Sequence, residues 1–212
     1  MITDDFPHIT ATLRSEHEIL FSNGDTLIVF NKKAGVHIAE GRTDIIVDHI
    51  GHAAVCRLET TNREVFDYFS AAKRFRYSQI CFQCRHKKTD GVSDLEAPSD
   101  AEVRWIAETY GTTPEKIDRM RSENRIFVLR KGEEAVSYIG IHIDGSIGCL
   151  YTKPEYRHAG YATETEEELL KIAPEPVCAQ ILESNEASIA LHRKNGWIFS
   201  NGRIHWLFNE SF

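Results

Sequence analysis

Arg157-x-x-Gly160-x-Ala162 sets a guanidinium and two minimal side chains directly before the helix-forming run YATETEEELLK. A turn that feeds several backbone N–H groups into a helix N-terminus receives anionic oxygens, phosphate above all, and small residues let those oxygens reach the backbone. Glycine before a helix is also common in plain strand-to-helix turns, so the motif alone leaves both readings open. No Lys-Ser or Lys-Thr pair follows Gly160, which argues against a nucleoside-triphosphate loop.

Two histidines could move a proton near neutral pH. His142 alternates with Ile141 and Ile143 on an apolar run, and His192 sits one turn before Gly196. Each also has a structural reading, the first as a solvent-facing or hydrogen-bonded strand residue and the second as a cap on helix C-terminal carbonyls. Cys81-x-x-Cys84 with His86 offers half a zinc set, but strand residues three apart face opposite sides, so no metal is expected. His49 and His52 repeat that argument. The five cysteines are odd in number and irregularly spaced, which suggests reduced thiols, mostly buried as small hydrophobes. Glu164, Glu166, Glu167 and Glu168 suit the start of a helix dipole and are expected to coat a solvated face.

Regular elements must hold these groups. Ser99 or Asp100 caps a helix that carries Val103, Ile106 and Ala107 on one face and stops at Gly111; Pro114 opens another. From Arg125 to Tyr151 the period shortens to three strands, broken at Lys131-Gly132 and Asp144-Gly145, the latter pair suited to a tight hairpin. The loop and its helix follow, then a buried strand in VCAQILES, a helix in NEASIALHRKNG closed by Gly196, and a final hairpin in WIFSNGRIHWLF with Asn201-Gly202 at its tip. The order from residue 100 is ααβββαβαββ. Earlier, strands are expected at Thr26 to Phe30, Val36 to Ala39 and Tyr77 to Cys84, with a helix around Glu64 to Arg74 and an ambiguous apolar stretch from Ile45 to Leu58. HKKTDGVSD, residues 86–94, reads as a linker.

The chain has 212 residues, 42% hydrophobic and 27% charged, the composition of an ordinary globular protein with one core and an extension or two small lobes. No apolar run approaches a membrane span and MITDDFPHIT lacks the basic and apolar regions of a signal peptide, so no membrane partner and a cytoplasmic location are expected. A net charge of -7 argues against nucleic acid, since phosphate-backbone binding uses clustered Lys and Arg. An anionic cofactor would need a locally basic pocket.

Pro154 to Ala162, between a strand and a helix, resembles the acyl-coenzyme A pyrophosphate loop of the GNAT N-acetyltransferase superfamily. SNEASIALHRKNGWIFS resembles that family's second coenzyme A segment, an Asn opening a helix that ends in Gly plus an aromatic residue, here Gly196-Trp197. The two motifs stand in the family's order, and the likeness covers about residues 93–212. It implies an α/β (α+β) fold with a mixed, mostly antiparallel central sheet flanked by helices. Residues 1–90 would form an extra N-terminal α/β lobe, either an acceptor-binding lobe or a degenerate half-copy of the same fold. It implies acetyl-CoA or another short acyl-CoA as co-substrate, no metal, and a small-molecule or peptide amine attacking the thioester directly in a ternary complex. By the same resemblance Leu150, Tyr151 and Thr152 pair with the pantetheine arm, Arg157, His158, Ala159, Gly160, Tyr161 and Ala162 cradle the pyrophosphate, and Asn185 hydrogen-bonds pantetheine. The N–H near Leu150 would be the oxyanion donor.

Two positions depart from the family pattern. His192 stands where many members have the Tyr that protonates the leaving thiolate, and the place of a Glu base falls near Ser146, with His142 as the nearest ionisable candidate. Releasing a thiol of pKa about 8.5 as thiolate at pH 7 costs about 2 kcal/mol, whereas deprotonating an amine of pKa about 10.4 costs about 4.6 kcal/mol. The base is the larger gap. A protein that keeps the fold and the cofactor as a non-catalytic sensor or partner-binding module is the rival reading, separated from the enzyme by a test for turnover.

Overall fold

A computed structural model describes residues 16–209. The chain divides into two compact units. One takes the residues up to Cys84 with Gln180–Ile189 and those from Ile198 onward, and the other takes Arg85–Ala179 with Ala190–Trp197. The fold is mixed α/β, a mostly antiparallel set of strands flanked by helices, as the family resemblance implies.

In the first unit β1 (His17–Ser22), β2 (Leu27–Asn31) and β3 (Val36–Glu40) form an antiparallel meander. α1 (Thr43–His52) then crosses over to β4 (Arg57–Thr60), which lies parallel to β3. The ambiguous stretch is thus a helix and a strand, and Ile46, Ile50 and Leu58 join one core with Ile28, Phe69 and Leu207. α2 (Arg63–Ala71) starts at Asn62, whose side chain accepts the N–H groups of Glu64 and Val65, and leads to β5 (Tyr77–Arg85). β1 is half exposed and apolar only in part, which hides it from a periodicity reading.

In the second unit α3 (Asp100–Tyr110) begins at a capping box in which Ser99 and Glu102 each bond the other's backbone, and ends at Gly111 with φ 74°. α4 (Pro114–Ser122) follows, capped by Thr113. Both helices pack Val103, Ile106, Ile117 and Met120 on Ile126, Val128 and Tyr138 of the strands. β6 (Ile126–Lys131), β7 (Glu134–Ile141) and β8 (Ile147–Thr152) are antiparallel neighbours, with α5 (Tyr161–Ile172) after β8. β9 (Cys178–Leu182) starts parallel to β8 at the pair Ile147–Ala179, and α6 (Glu186–Lys194) follows it. β1–β3, α1 and β4, and again β6–β8, α5 and β9, each run in sequence as three antiparallel strands, a helix, and a fourth strand parallel to the third.

The C-terminal strands depart from expectation. β10 (Ile198–Phe199) pairs with β5, and β11 (Ile204–Phe208) inserts antiparallel between β4 and β5, so the two do not form a hairpin with each other. Asn201-Gly202 is a valid turn pair, but Ile204, Leu207 and Phe208 gain a buried place between β4 and β5. Among the described residues no helix is long and apolar enough to cross a membrane.

Candidate functional site

β8 ends at Thr152, and Pro154–Tyr156 makes one 3-10 turn. The Tyr156 hydroxyl donates to Glu134 at 2.7 Å and Lys153 pairs with the same carboxylate at 2.7 Å, which pins the entry of the loop to the start of β7. Arg157 Nε donates to the Thr152 carbonyl at 3.1 Å, and its guanidinium stands 5.5 Å from the Tyr151 ring centroid. His158 at φ 61° and Gly160 at φ 92° both take the left-handed conformation, a reversal that aims successive N–H groups into one concavity.

Gly160 is the N-cap of α5 and has no side chain to satisfy the first turn. The N–H groups of Tyr161, Ala162 and Thr163 have no intrahelical acceptor. A Cβ on Gly160 would meet nothing within 4 Å, so the space in front of the helix is open. That space belongs to a cavity of about 350 Å³ whose walls include Thr152, Arg157, Gly160, Ala162, Leu191 and Lys194. Lys131 adds a further ammonium, 5.7 Å and 5.9 Å from the rings of Tyr156 and Tyr161. A chain of net charge -7 thus gathers cations at one helix start, the local basic pocket an anionic cofactor requires. At the turn before α1 a Cβ on Gly41 would lie 2.1 Å from the Asp25 carbonyl oxygen, so glycine is required there.

α5 is held in place by a carboxylate. Glu166 is fully buried and accepts from Trp197 Nε1 at 3.0 Å and from Asn195 Nδ2. His192 is buried too, its Nε2 3.1 Å from Glu166 Oε1 and its ring 5.0 Å from that of Trp197. Thr163 donates to Asn195 Oδ1 at 3.3 Å. The expectation that the whole acidic run coats a solvated face is therefore corrected at Glu166. Helical spacing puts it beside buried Thr165, Leu169 and Leu170, and only hydrogen-bond donors from the Asn195–Trp197 corner make that burial affordable.

The pantetheine candidates lie along a distorted strand. β7 and β8 pair in register at Tyr138–Tyr151 and at Gly140–Gly148, so Cys149 and Leu150 together oppose Ile139 in a β-bulge, with Cys149 at φ 59°. On the other side, among the described residues, the ladder to β9 is the single pair Ile147–Ala179. Ser137 Oγ donates to the Tyr151 carbonyl at 2.7 Å, and Thr152 is buried. His142 is half-buried, with Nε2 4.0 Å from Cys149 Sγ. Ser146, at the family's base position, spends its N–H and hydroxyl on Asp144 Oδ1 at 2.9 Å and 2.7 Å, which fixes the β7–β8 turn. Asn185 is exposed in the first unit, where its Oδ1 accepts the Ser188 N–H at 3.1 Å in the first turn of α6.

The structure thus brings Arg157, His158, Gly160, Tyr161 and Ala162 to one cavity and sets Leu150, Tyr151 and Thr152 on the strand leading to it. Lys194 and Cys149 were not singled out by the sequence, and Glu166 was read only as part of a solvated acidic run. Lys194 was legible, since it lies on the helix of the second motif next to Arg193; Glu166 and Cys149 depend on tertiary packing. Cys81, Cys84 and Cys178 are buried, as expected of most of the cysteines, whereas Cys56 is exposed and Cys149 half-buried.

The acetyltransferase (GNAT) family model matches residues 92–197. No curated protein matches the sequence. Solved structures share the fold at low identity. A Drosophila protein is 12% identical with a TM-score of 0.65, over 94% of this chain and 80% of that one. A GNAT-family acetyltransferase from Colwellia psychrerythraea is 8% identical with a TM-score of 0.54, over 98% and 97%. A GCN5-related N-acetyltransferase from Kribbella flavida is 11% identical with a TM-score of 0.52, over 98% and 95%. With a family match over half its length, on the residues that build the loop, its helix and the Glu166 support, this chain belongs to the GNAT acetyltransferase family.

Proposed function

We propose that the chain transfers an acyl group, most readily acetyl, from acyl-coenzyme A to a primary amine on a small molecule or peptide. The observation that carries this reading is the open, cation-lined cavity at the start of α5, where the left-handed His158 and Gly160 turn backbone N–H groups toward one point. A diphosphate fits that chemistry: it takes several N–H donors at once and gains from the helix dipole and from Arg157 and Lys194. The pantetheine arm would run along Leu150–Thr152 and use backbone groups freed where the ladder to β9 stops. The Leu150 N–H, at the bulge, is the proposed donor to the thioester oxygen. No metal takes part in the proposed step.

Titration calorimetry with acetyl-CoA tests the assignment. The wild-type chain should bind, and Gly160→Glu, which puts a carboxylate in the open space before the helix, should not, while Gly160→Ala measures the backbone cost alone. Unchanged affinity in a folded Gly160→Glu protein would sink the assignment. Coenzyme A release with a panel of amines then separates an enzyme from a sensor that binds the cofactor without turning it over.

A further inference from the structure

The β8 bulge carries a second group of reactive side chains. Cys149 holds a left-handed backbone, φ 59°, at the bulge, and its sulfur lies 4.0 Å from His142 Nε2. The pair is built into the strand. A Cβ on residue 148 would lie 2.1 Å from His142 Nε2, so only glycine at 148 lets the imidazole fold back over β8 to reach the thiol. Tyr110 of α3 packs on the same core as Cys149, and Thr109 fixes the neighbouring Tyr138 hydroxyl at 3.1 Å. Cys149 directly precedes Leu150. Leu150 is the residue whose N–H is proposed to hold the thioester oxygen.

We propose that Cys149 is an acyl acceptor, so that the acyl group passes from coenzyme A to Cys149 Sγ and from there to the amine. The inference rests on the acyl-CoA reading of the cavity and departs from the direct attack that the family resemblance implies. His142 takes the Cys149 proton, and the thiolate adds to the thioester carbonyl. The carbon–sulfur bond to coenzyme A breaks as the bond to Sγ forms, and His142 returns its proton to the departing coenzyme A thiolate. The amine then attacks the acyl-Cys149 carbonyl, His142 accepts the amine proton, and the Cys149 thiolate leaves. One thioester replaces another in the first step, so no oxidant or further energy source is needed.

The electrostatics favour this pair. Burial alone would push the Cys149 thiol up, but the His142 imidazole more than offsets it, assisted by Tyr110 and Lys116, and the thiol is held below the ordinary cysteine value. For His142 burial pulls downward, and contact with the Cys149 sulfur together with the Asp144 carboxylate outweighs both that and the Arg125 charge, so the imidazole is raised. Tyr110 and Tyr138 are both raised, chiefly by burial, and stay protonated beside the sulfur.

The test needs no amine. The full chain is mixed with acetyl-CoA and isotopically labelled coenzyme A, label exchange into acetyl-CoA is followed, and acid-quenched protein is mapped by peptide mass. The wild-type chain should catalyse exchange and carry one acetyl group on Cys149. Cys149→Ser, nearly isosteric, and Cys149→Ala should lose exchange while still binding acetyl-CoA, and His142→Ala should lower exchange by roughly a hundredfold. Binding without exchange, exchange undiminished in Cys149→Ser, or acetyl found only on the exposed Cys56 overturns the proposal and leaves the cofactor reading intact. Absence of acetyl-CoA binding by the wild-type chain overturns both.

Discussion

Glu166 and Trp197 meet at 3.0 Å across the second unit, a fully buried carboxylate accepting an indole N–H. Asn195 donates to the same oxygen, so one side chain ties the helix behind the anion loop to the turn that ends α6. Glu166→Ala should cost about 3 kcal/mol in urea unfolding, because it strands the buried Trp197 N–H and the half-buried Asn195 amide and opens a cavity. Glu166→Gln should cost less, since an amide oxygen still accepts from Trp197. Equal losses in the two variants would mean that the cavity, not the hydrogen bonding, sets the energy.

Gly148→Ala tests whether the imidazole of His142 is placed by the missing side chain. The added methyl would collide with the end of a side chain that can swing outward, so the stability cost should stay near 1 kcal/mol. Expulsion of the ring would remove the group that lowers the Cys149 thiol, and the thiol should titrate at higher pH. Iodoacetamide alkylation of the Cys149 peptide, followed against pH, should then show its midpoint move upward relative to wild type. An unmoved midpoint would place the control of that thiol elsewhere.

Glu102 links pH to the stability of α3. Burial would raise its carboxyl, but Arg130, bonded through both guanidinium ends, and Ser99, through the capping box, outweigh burial and hold it below the ordinary value. A carboxylate depressed in the folded state contributes stability above its unfolded pKa, about 4.3, and loses it as pH falls through the folded value. Glu102→Gln, which keeps an acceptor for the Ser99 N–H but loses the charge paired with Arg130, should therefore be destabilised by about 1 kcal/mol at pH 7. The gap to wild type should close below pH 4. A gap independent of pH would show that the cap works through shape alone.

The parts of this protein that depend on local chemistry were legible in its sequence. Ser99 with Glu102, Gly111, Pro114, Asp144-Gly145 and Gly160 each mark a turn or cap that one or two residues decide, and the element order from residue 100 follows from them. What depends on distant partners was not. Nothing near Ile204 says that its strand is clasped by β4 and β5 in preference to its hairpin neighbour, and nothing near Glu166 says that Trp197 waits for it. The turn before α5 was readable because glycine placement reveals its backbone geometry. The Cys149–His142 pair was not, since a one-residue bulge sets its alignment and bulges leave no periodic trace.

The clasp on β11 yields the last expectation, for a chain cut at residue 92. Such a fragment keeps the anion loop, α5 and the Glu166 support, and by sequence alone it is the natural acetyltransferase domain. It also keeps β11 while losing β4, which pairs with His205–Phe208, and β5, which pairs with Ile204–Phe208. Ile204, Leu207 and Phe208 are buried in the whole protein, Leu207 in a core built otherwise from residues before 92. Removing both neighbours leaves a short apolar strand with two open edges, a template for pairing with other copies. The fragment 92–212 should therefore aggregate or bind a hydrophobic dye, and co-expression with residues 1–91 should restore a soluble complex. Ending the fragment at residue 197 removes β11 as well and should reduce aggregation. A monomeric 92–212 fragment with cooperative unfolding would show that β11 finds another partner once its own are gone.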